Sequence, residues 1–195
     1  MERHPEISQR NAESICRGRG ALTEGFIRGW FSDTEKFFSD MNIAYVLENA
    51  ECQYNADKTG FQLDPKTGKI LALRGESVYT ESGGQKEQVT VLITTRADGK
   101  VMTSAIVYPY KRAIPSNIVQ LIPDGFCAAK SESDWMTSTV FYEYIANTFI
   151  PELNEIRRSK KGITDTQELI LNDDDWVVMW MDGYSSHLTL HTSKL

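Results

Sequence analysis

At 195 residues, 41% hydrophobic and 25% charged, the chain has enough apolar material for one globular domain and no need of a second. A formal net charge of −6 and a pI near 5.2 exclude a broad electrostatic grip on nucleic acid, because phosphate neutralisation by Lys and Arg supplies most non-specific affinity. No run approaches the roughly 18 to 20 apolar residues of a membrane span, and Met1-Glu2-Arg3-His4-Pro5 offers no apolar stretch for a secretory signal, so the expectation is a soluble protein that stays inside the cell.

Along the chain, Leu22, Phe26, Ile27 and Trp30 fall at helical spacing, and Phe37, Phe38 and Met41 follow a cap at Ser32 or Asp33. Residues 1–49 are therefore expected as a helical linker. Residues 52–57 read as a short strand that delivers Asp57 into a turn at Lys58-Thr59-Gly60. Residues 64–84, punctuated by Pro65, Gly68, Gly75, Gly83 and Gly84, read as loop with a minor strand at 77–80. Residues 88–95 and 100–108 are rich in β-branched side chains and are separated by Arg96-Ala97-Asp98-Gly99; Asp-Gly is a strong turn signal, which predicts an antiparallel hairpin. A helix is expected from Thr137 or Ser138, with Phe141, Tyr144, Ile145, Thr148 and Phe149 on one face, and Pro151 kinking or restarting it before Leu153 and Ile156. Residues 176–181 are apolar on both faces, as in a central strand covered on both sides, and end at Asp182-Gly183. The order predicts an α/β fold, a mixed sheet with helices packed on it.

Two strand-end carboxylates, Asp57 and Asp182, are the chemical feature of this order. Neighbouring strands that bring two Asp side chains together create a charge that a divalent cation relieves, as in two-metal nucleases. Each Asp taken alone reads equally as a turn residue. Cys16, Cys52 and Cys127 are odd in number and form no CxxC pair, which leaves neither a disulfide framework nor a zinc ribbon. His187 and His191 share a helical spacing, but Leu188 stands where a zincin has Glu. Ser185 reads as a helix cap rather than a nucleophile, and residues 172–175 as a solvated turn rather than a calcium loop. The basic clusters are Arg17 with Arg19, Lys111 with Arg112, and residues 157–161; the last reads either as a phosphate contact or as the solvated end of a helix. The four tryptophans are expected in the core, with Trp135 partly exposed.

Tyr54-Asn55-Ala56-Asp57-Lys58-Thr59-Gly60 resembles the Asn-x-Asp-Glu-Thr-Gly signature around the first catalytic Asp of the pogo, Tigger, jerky and centromere-protein-B-like DDE transposases. Ser82-Gly83-Gly84-Gln85-Lys86-Glu87-Gln88-Val89-Thr90-Val91, Trp135-Met136-Thr137-Ser138 with Phe141, and Met181-Asp182-Gly183-Tyr184-Ser185-Ser186-His187-Leu188 are similar to further segments of that family, in its order. So are Arg3-His4-Pro5-Glu6-Ile7-Ser8 and residues 26–31, which look like the linker behind the family's DNA-binding helices. The resemblance implies an RNase H-like core over residues 50–195, with Asp57 and Asp182 as the first and second ligands of Mg²⁺ or Mn²⁺. It also implies a third Asp. The 13 residues after Asp182 are fewer than a helix of about 11 and a strand of about 5 require, so the expected core is C-terminally incomplete and catalytically defective. Alternatives are an active nuclease whose third carboxylate comes from Asp173 to Asp175, Glu168 or a second chain, and a domesticated protein-interaction module. Lys58 departs from the family's Glu, and on this reading a cation beside Asp57 would compete with the metal. The implied setting is the nucleus, with weak, non-specific DNA contact through His187, Lys111 and Arg112, and dimerisation through the unfinished sheet edge.

Overall fold

The computed structural model describes residues 21–62, 88–132, 135–164 and 166–182. The expected strand at 77–80 and the expectations at Ser185, His187 and His191 lie outside them. The chain divides after Ala44 into two units.

In the first unit one helix, α1 (Glu24–Asp40), runs unbroken through Ser32 and Asp33, where the sequence suggested a second start. Its cap is Thr23, whose side chain accepts the Phe26 N–H at 3.2 Å. Ser32 and Asp33 stay helical because ion pairs spaced i to i+4, Glu24 with Arg28 and Lys36 with Asp40, support the turns on either side. Phe26, Ile27, Trp30, Phe31 and Phe37 are exposed, so Trp30 is not a core residue.

The second unit is built on a five-stranded sheet: β1 (Gln53–Gln62), β2 (Gln88–Arg96), β3 (Ser104–Tyr108), β4 (Phe126–Lys130) and β5 (Val178–Met181), in the order β4-β3-β2-β1-β5. Strands β1, β2 and β3 are antiparallel in succession; β5 lies parallel beside β1 and β4 parallel beside β3. Three antiparallel strands with a later strand laid parallel beside the first form the mixed α/β sheet with packed helices expected of this chain. Short helices α2 (Tyr45–Glu48) and α3 (Ser116–Val119) lead into β1 and β4. The packed helix consists of α4 (Ser138–Tyr144), one π-helical turn over Ile145–Phe149, and α5 (Ile150–Lys161), with Pro151 in the first turn of α5 where its missing N–H costs nothing. Thr137 caps α4 by accepting the Val140 N–H.

Strand periodicity divides the sheet's residues between two faces. One face carries Tyr54, Ala56, Leu92, Ala105 and Val107, which pack against Val140, Phe141, Tyr144, Ile145, Phe149 and Leu153 of the helix. Tyr54 and Phe149 meet edge to face, ring centroids 5.2 Å apart. The hairpin is present as expected, with Gly99 at φ 96° in its turn, a conformation that strains any residue with a Cβ. Arg96 pairs with Asp98 across that turn at 2.5 Å and pulls the Asp98 carboxyl down to about 2.

Two expectations need correction. Trp176 is 53% exposed and β5 is the outer strand of the described sheet, not a central strand covered on both faces. An apolar run on an edge strand reads the same in sequence as a buried one, because its half-exposed residues Val178 to Met181 are identical in type. Second, β1 does not turn at Lys58-Thr59-Gly60 but continues to Gln62, because β2 pairs with it over the whole stretch from Lys58↔Leu92 to Gln62↔Gln88. Tertiary pairing overrides the local turn signal.

A polar tie inside this packing carries a testable consequence. The buried Tyr144 hydroxyl donates to Thr94 Oγ1 at 2.7 Å and lies 2.9 Å from the Thr103 carbonyl, and burial pushes it up to about 12 against the pull of the Thr94 bond. A folded-state value above the usual Tyr value near 10 means that the stabilisation is complete below pH ~10 and is lost as pH rises through about 12. Tyr144→Phe leaves Thr94 and Thr103 short of a partner and is expected to cost about 1–3 kcal/mol in urea unfolding at neutral pH. The variant's stability should also decline less than the wild type's between pH 10 and 12, the raised Tyr45 and Tyr54 hydroxyls keeping part of the dependence.

Candidate metal and nucleic-acid site

Asp57 lies in β1 opposite Ile93 of β2, on the sheet face that the helix does not cover; Asn55, Asp57, Thr59 and Phe61 are all exposed there. On its other side β1 pairs in parallel with β5, ending at Ala56↔Met181. Asp182 is the next residue after Met181, as Asp57 is the next after Ala56, so one further step of the same register, past the end of β5, would bring the two aspartates level. Neighbouring strands are about 4.8 Å apart, and register partners point to the same face. The two carboxylates predicted from the sequence thus follow directly on the last pair of one strand ladder, and both are exposed.

Asp57 Oδ1 accepts the Lys58 N–H at 2.8 Å, which fixes one carboxylate oxygen and leaves the other side of the group to the open face. Lys58 itself does not oppose the site. Its register partner is the fully buried Leu92, so its side chain goes to the helix-covered face, opposite to Asp57. The continuation of β1 past Asp57 has this consequence directly: in a strand, adjacent residues face opposite ways, whereas a turn leaves the direction open. Lys58 in place of Glu therefore puts no cation against Asp57.

The chemistry of the pair suits hard divalent cations, since carboxylate oxygens favour Mg²⁺ and Mn²⁺. Among the described residues no group of three or more His, Cys, Asp or Glu converges. Asp173, Asp174 and Asp175 form a short 3-10 turn with Asn172 as its cap. Asp175 is engaged there: burial raises its carboxyl, but the Lys161 ammonium 2.5 Å away and the Asn172 N–H hold it below the usual range.

The basic run at 157–161 proves structural. Arg157 donates to the Asp175 carbonyl and to Asn154; Arg158 donates to the carbonyls of Thr164 and Gln167; Lys160 pairs with Glu51; Lys161 pairs with Asp175 and donates to the Ile170 carbonyl. These cations strap the segment after α5, and the strand start near Glu51, to the helix end, where they also suit its dipole. Lys111 and Arg112, by contrast, are exposed, and no ion pair among the described residues involves either. Sequence reasoning missed Lys130, which β4 sets beside Tyr108 and whose Nζ reaches the Lys111 carbonyl at 3.4 Å. Only the pairing of β4 with β3 brings it there; no local motif marks it.

No family model matches the sequence. A solved structure described as "Mos1 transposase paired-end complex with left transposon end" is similar, with a TM-score of 0.46 and 10% sequence identity over 98% of this chain; this chain spans 44% of the length of that one.

Proposed function

We propose that the second unit is a transposase-derived, DDE-type core of the pogo, Tigger and jerky kind, working on DNA in the nucleus, with Asp57 and Asp182 as two carboxylates of its divalent-metal site. One observation supports the reading: the parallel pairing of β1 with β5 ends at Ala56↔Met181, and the two aspartates that the sequence resemblance marks are the residues that follow this pair, both exposed. A bound Mg²⁺ or Mn²⁺ supplies Lewis-acid polarisation of a phosphate and a lowered pKa for a coordinated water. The chain's own contribution is to hold two carboxylates rigidly on a sheet, to keep Lys58 away from them, and to present a face wide enough for a polynucleotide. Within that site the two aspartates would serve cation binding and phosphate orientation.

The test is the anisotropy of a labelled DNA duplex titrated with the folded protein at low salt, with and without Mn²⁺. Binding that Mn²⁺ strengthens and salt abolishes is expected. A folded protein that binds no DNA at low salt contradicts the reading.

A second reading, the protein-interaction module, has its own observation. Strand β5 has no described neighbour on its outer side. Beside it lies a cavity of about 710 Å³ lined by Ile145, Phe149, Ile150, Trp176, Met179 and Met181 among others. A strand edge with no described neighbour, above an apolar trough, suits an added strand, whether from a partner or from a second copy of the chain. Capture of a partner that resists both nuclease and salt would favour this reading over the first.

A further inference from the structure

We propose that Tyr108, Tyr110, Lys111, Arg112 and Lys130 form a contact for a polynucleotide strand that crosses the exposed sheet face towards Asp57 and Asp182; this rests on the reading of those aspartates given above.

The placement comes from register. Tyr108 pairs with Lys130, and both alternate with Val107 and Ala129, which belong to or pack on the helix-covered core; Tyr108 and Lys130 therefore share the face of Asp57. Strands β1, β3, β4 and β5 all run in the same direction, and the register sets Met181 level with Ala56, beside the start of β3, so Tyr108 and Lys130 lie further along the sheet than the end of β5. Val107 is level with Thr90 and Gly60, which puts Tyr108 level with Phe61, four residues beyond Asp57 and two strands away. At ~3.3 Å per residue and ~4.8 Å per strand the separation is roughly 16 Å, about five nucleotides at the ~3.4 Å rise of a duplex strand. The face between carries the exposed side chains of Phe61 and Ile93.

The chemistry fits a phosphate backbone with bases. Tyr108 and Tyr110 hold their rings 6.3 Å apart and only 30° from parallel, around a bend fixed by the Tyr110 N–H on the Tyr108 carbonyl. Lys111 and Arg112 follow directly, and Lys130 joins them through the Lys111 carbonyl. In a chain of net charge −6, residues 99–123 contain no Asp or Glu. Glu132 stands two residues beyond Lys130 and offsets part of the positive charge. The second basic cluster, on α5, is spent on internal carbonyls and carboxylates, whereas at this corner, among the described residues, only the Lys130 ammonium has an internal bond. Aromatic rings beside free cations are what sequence-tolerant binding of single strands requires.

The experiment is anisotropy of fluorescein-labelled oligothymidine over a salt series with wild type, with the triple variant Lys111→Gln, Arg112→Gln, Lys130→Gln, with Tyr110→Leu, and with Asp57→Asn. The triple variant should bind at least tenfold more weakly at low salt, with the log–log salt slope reduced by about 2. Tyr110→Leu should weaken binding without changing that slope, and Asp57→Asn should lose the gain in binding that Mn²⁺ gives the wild type. Wild-type binding that the triple variant and Tyr110→Leu retain in full overturns this contact while leaving the aspartate site standing. Absence of any binding by wild type overturns both. The three cations are exposed, so unchanged circular dichroism is expected of the triple variant.

Discussion

Asn in place of Asp57 or of Asp182 is expected to weaken Mn²⁺ binding by about a hundredfold or more, with the fold unchanged. Groups that merely support a metal ligand typically contribute 10- to 100-fold in affinity, so removing a ligand's charge should reach at least the upper end, ~2.7 kcal/mol. Asn keeps the shape of Asp and, at position 57, an Oδ1 that still accepts the Lys58 N–H, and both aspartates are exposed, outside the apolar core. Lys58→Gln is the internal contrast. Its side chain leaves β1 on the other face, and Mn²⁺ affinity should stay at the wild-type value. Isothermal titration on the three variants separates the cases; equal affinity for wild type and both Asn variants would place any metal elsewhere.

Phe141→Ala is expected to destabilise the second unit by about 3–5 kcal/mol, a large share of the 5–15 kcal/mol typical of a folded domain. Phe141 is fully buried at the centre of the cluster that joins α4 to β1, β2 and β3, among Tyr54, Leu92 and Val107. Truncation there removes the apolar transfer contribution and leaves a cavity, because the surrounding strands are held by their ladders and relax only in part. Urea denaturation followed by tryptophan fluorescence measures it. A loss under ~1 kcal/mol would show that the helix does not pack on the sheet as described.

What the sequence disclosed depended on how local the signal was. The hairpin was legible because β-branched runs flank Asp98-Gly99, and α4 because Thr137 and the Phe141–Tyr144–Ile145 face are local features. Strand β4 was not foreseen: Phe-Cys-Ala-Ala-Lys has neither a β-branched residue nor an alternating pattern, and it becomes a strand only by pairing with β3. The full length of β1 was hidden for the converse reason, since Lys58-Thr59-Gly60 reads locally as a turn and is extended by β2. That error mattered chemically, because only a continuing strand decides which way Lys58 faces. Asp57 and Asp182 were found by resemblance; their adjacency needed the parallel register of β1 with β5. Lys111 and Arg112 were visible as a cluster, but the fold alone adds Lys130 and puts the corner on the aspartates' face. Trp30 and Trp176 misled because ring size says core, while both are about half exposed; Trp135 is half exposed, as expected of its place before the helix.

The most direct test of the two-carboxylate site is paramagnetic broadening of the ¹⁵N-labelled protein by substoichiometric Mn²⁺. The amide signals of Ala56, Asp57 and Lys58 in β1 and of Trp180, Met181 and Asp182 around the end of β5 should disappear first and together, while those of Ala128 and Ala129 in β4 persist. Broadening centred instead on residues 172–175, or broadening at β1 that leaves the end of β5 untouched, would contradict a metal site shared by Asp57 and Asp182.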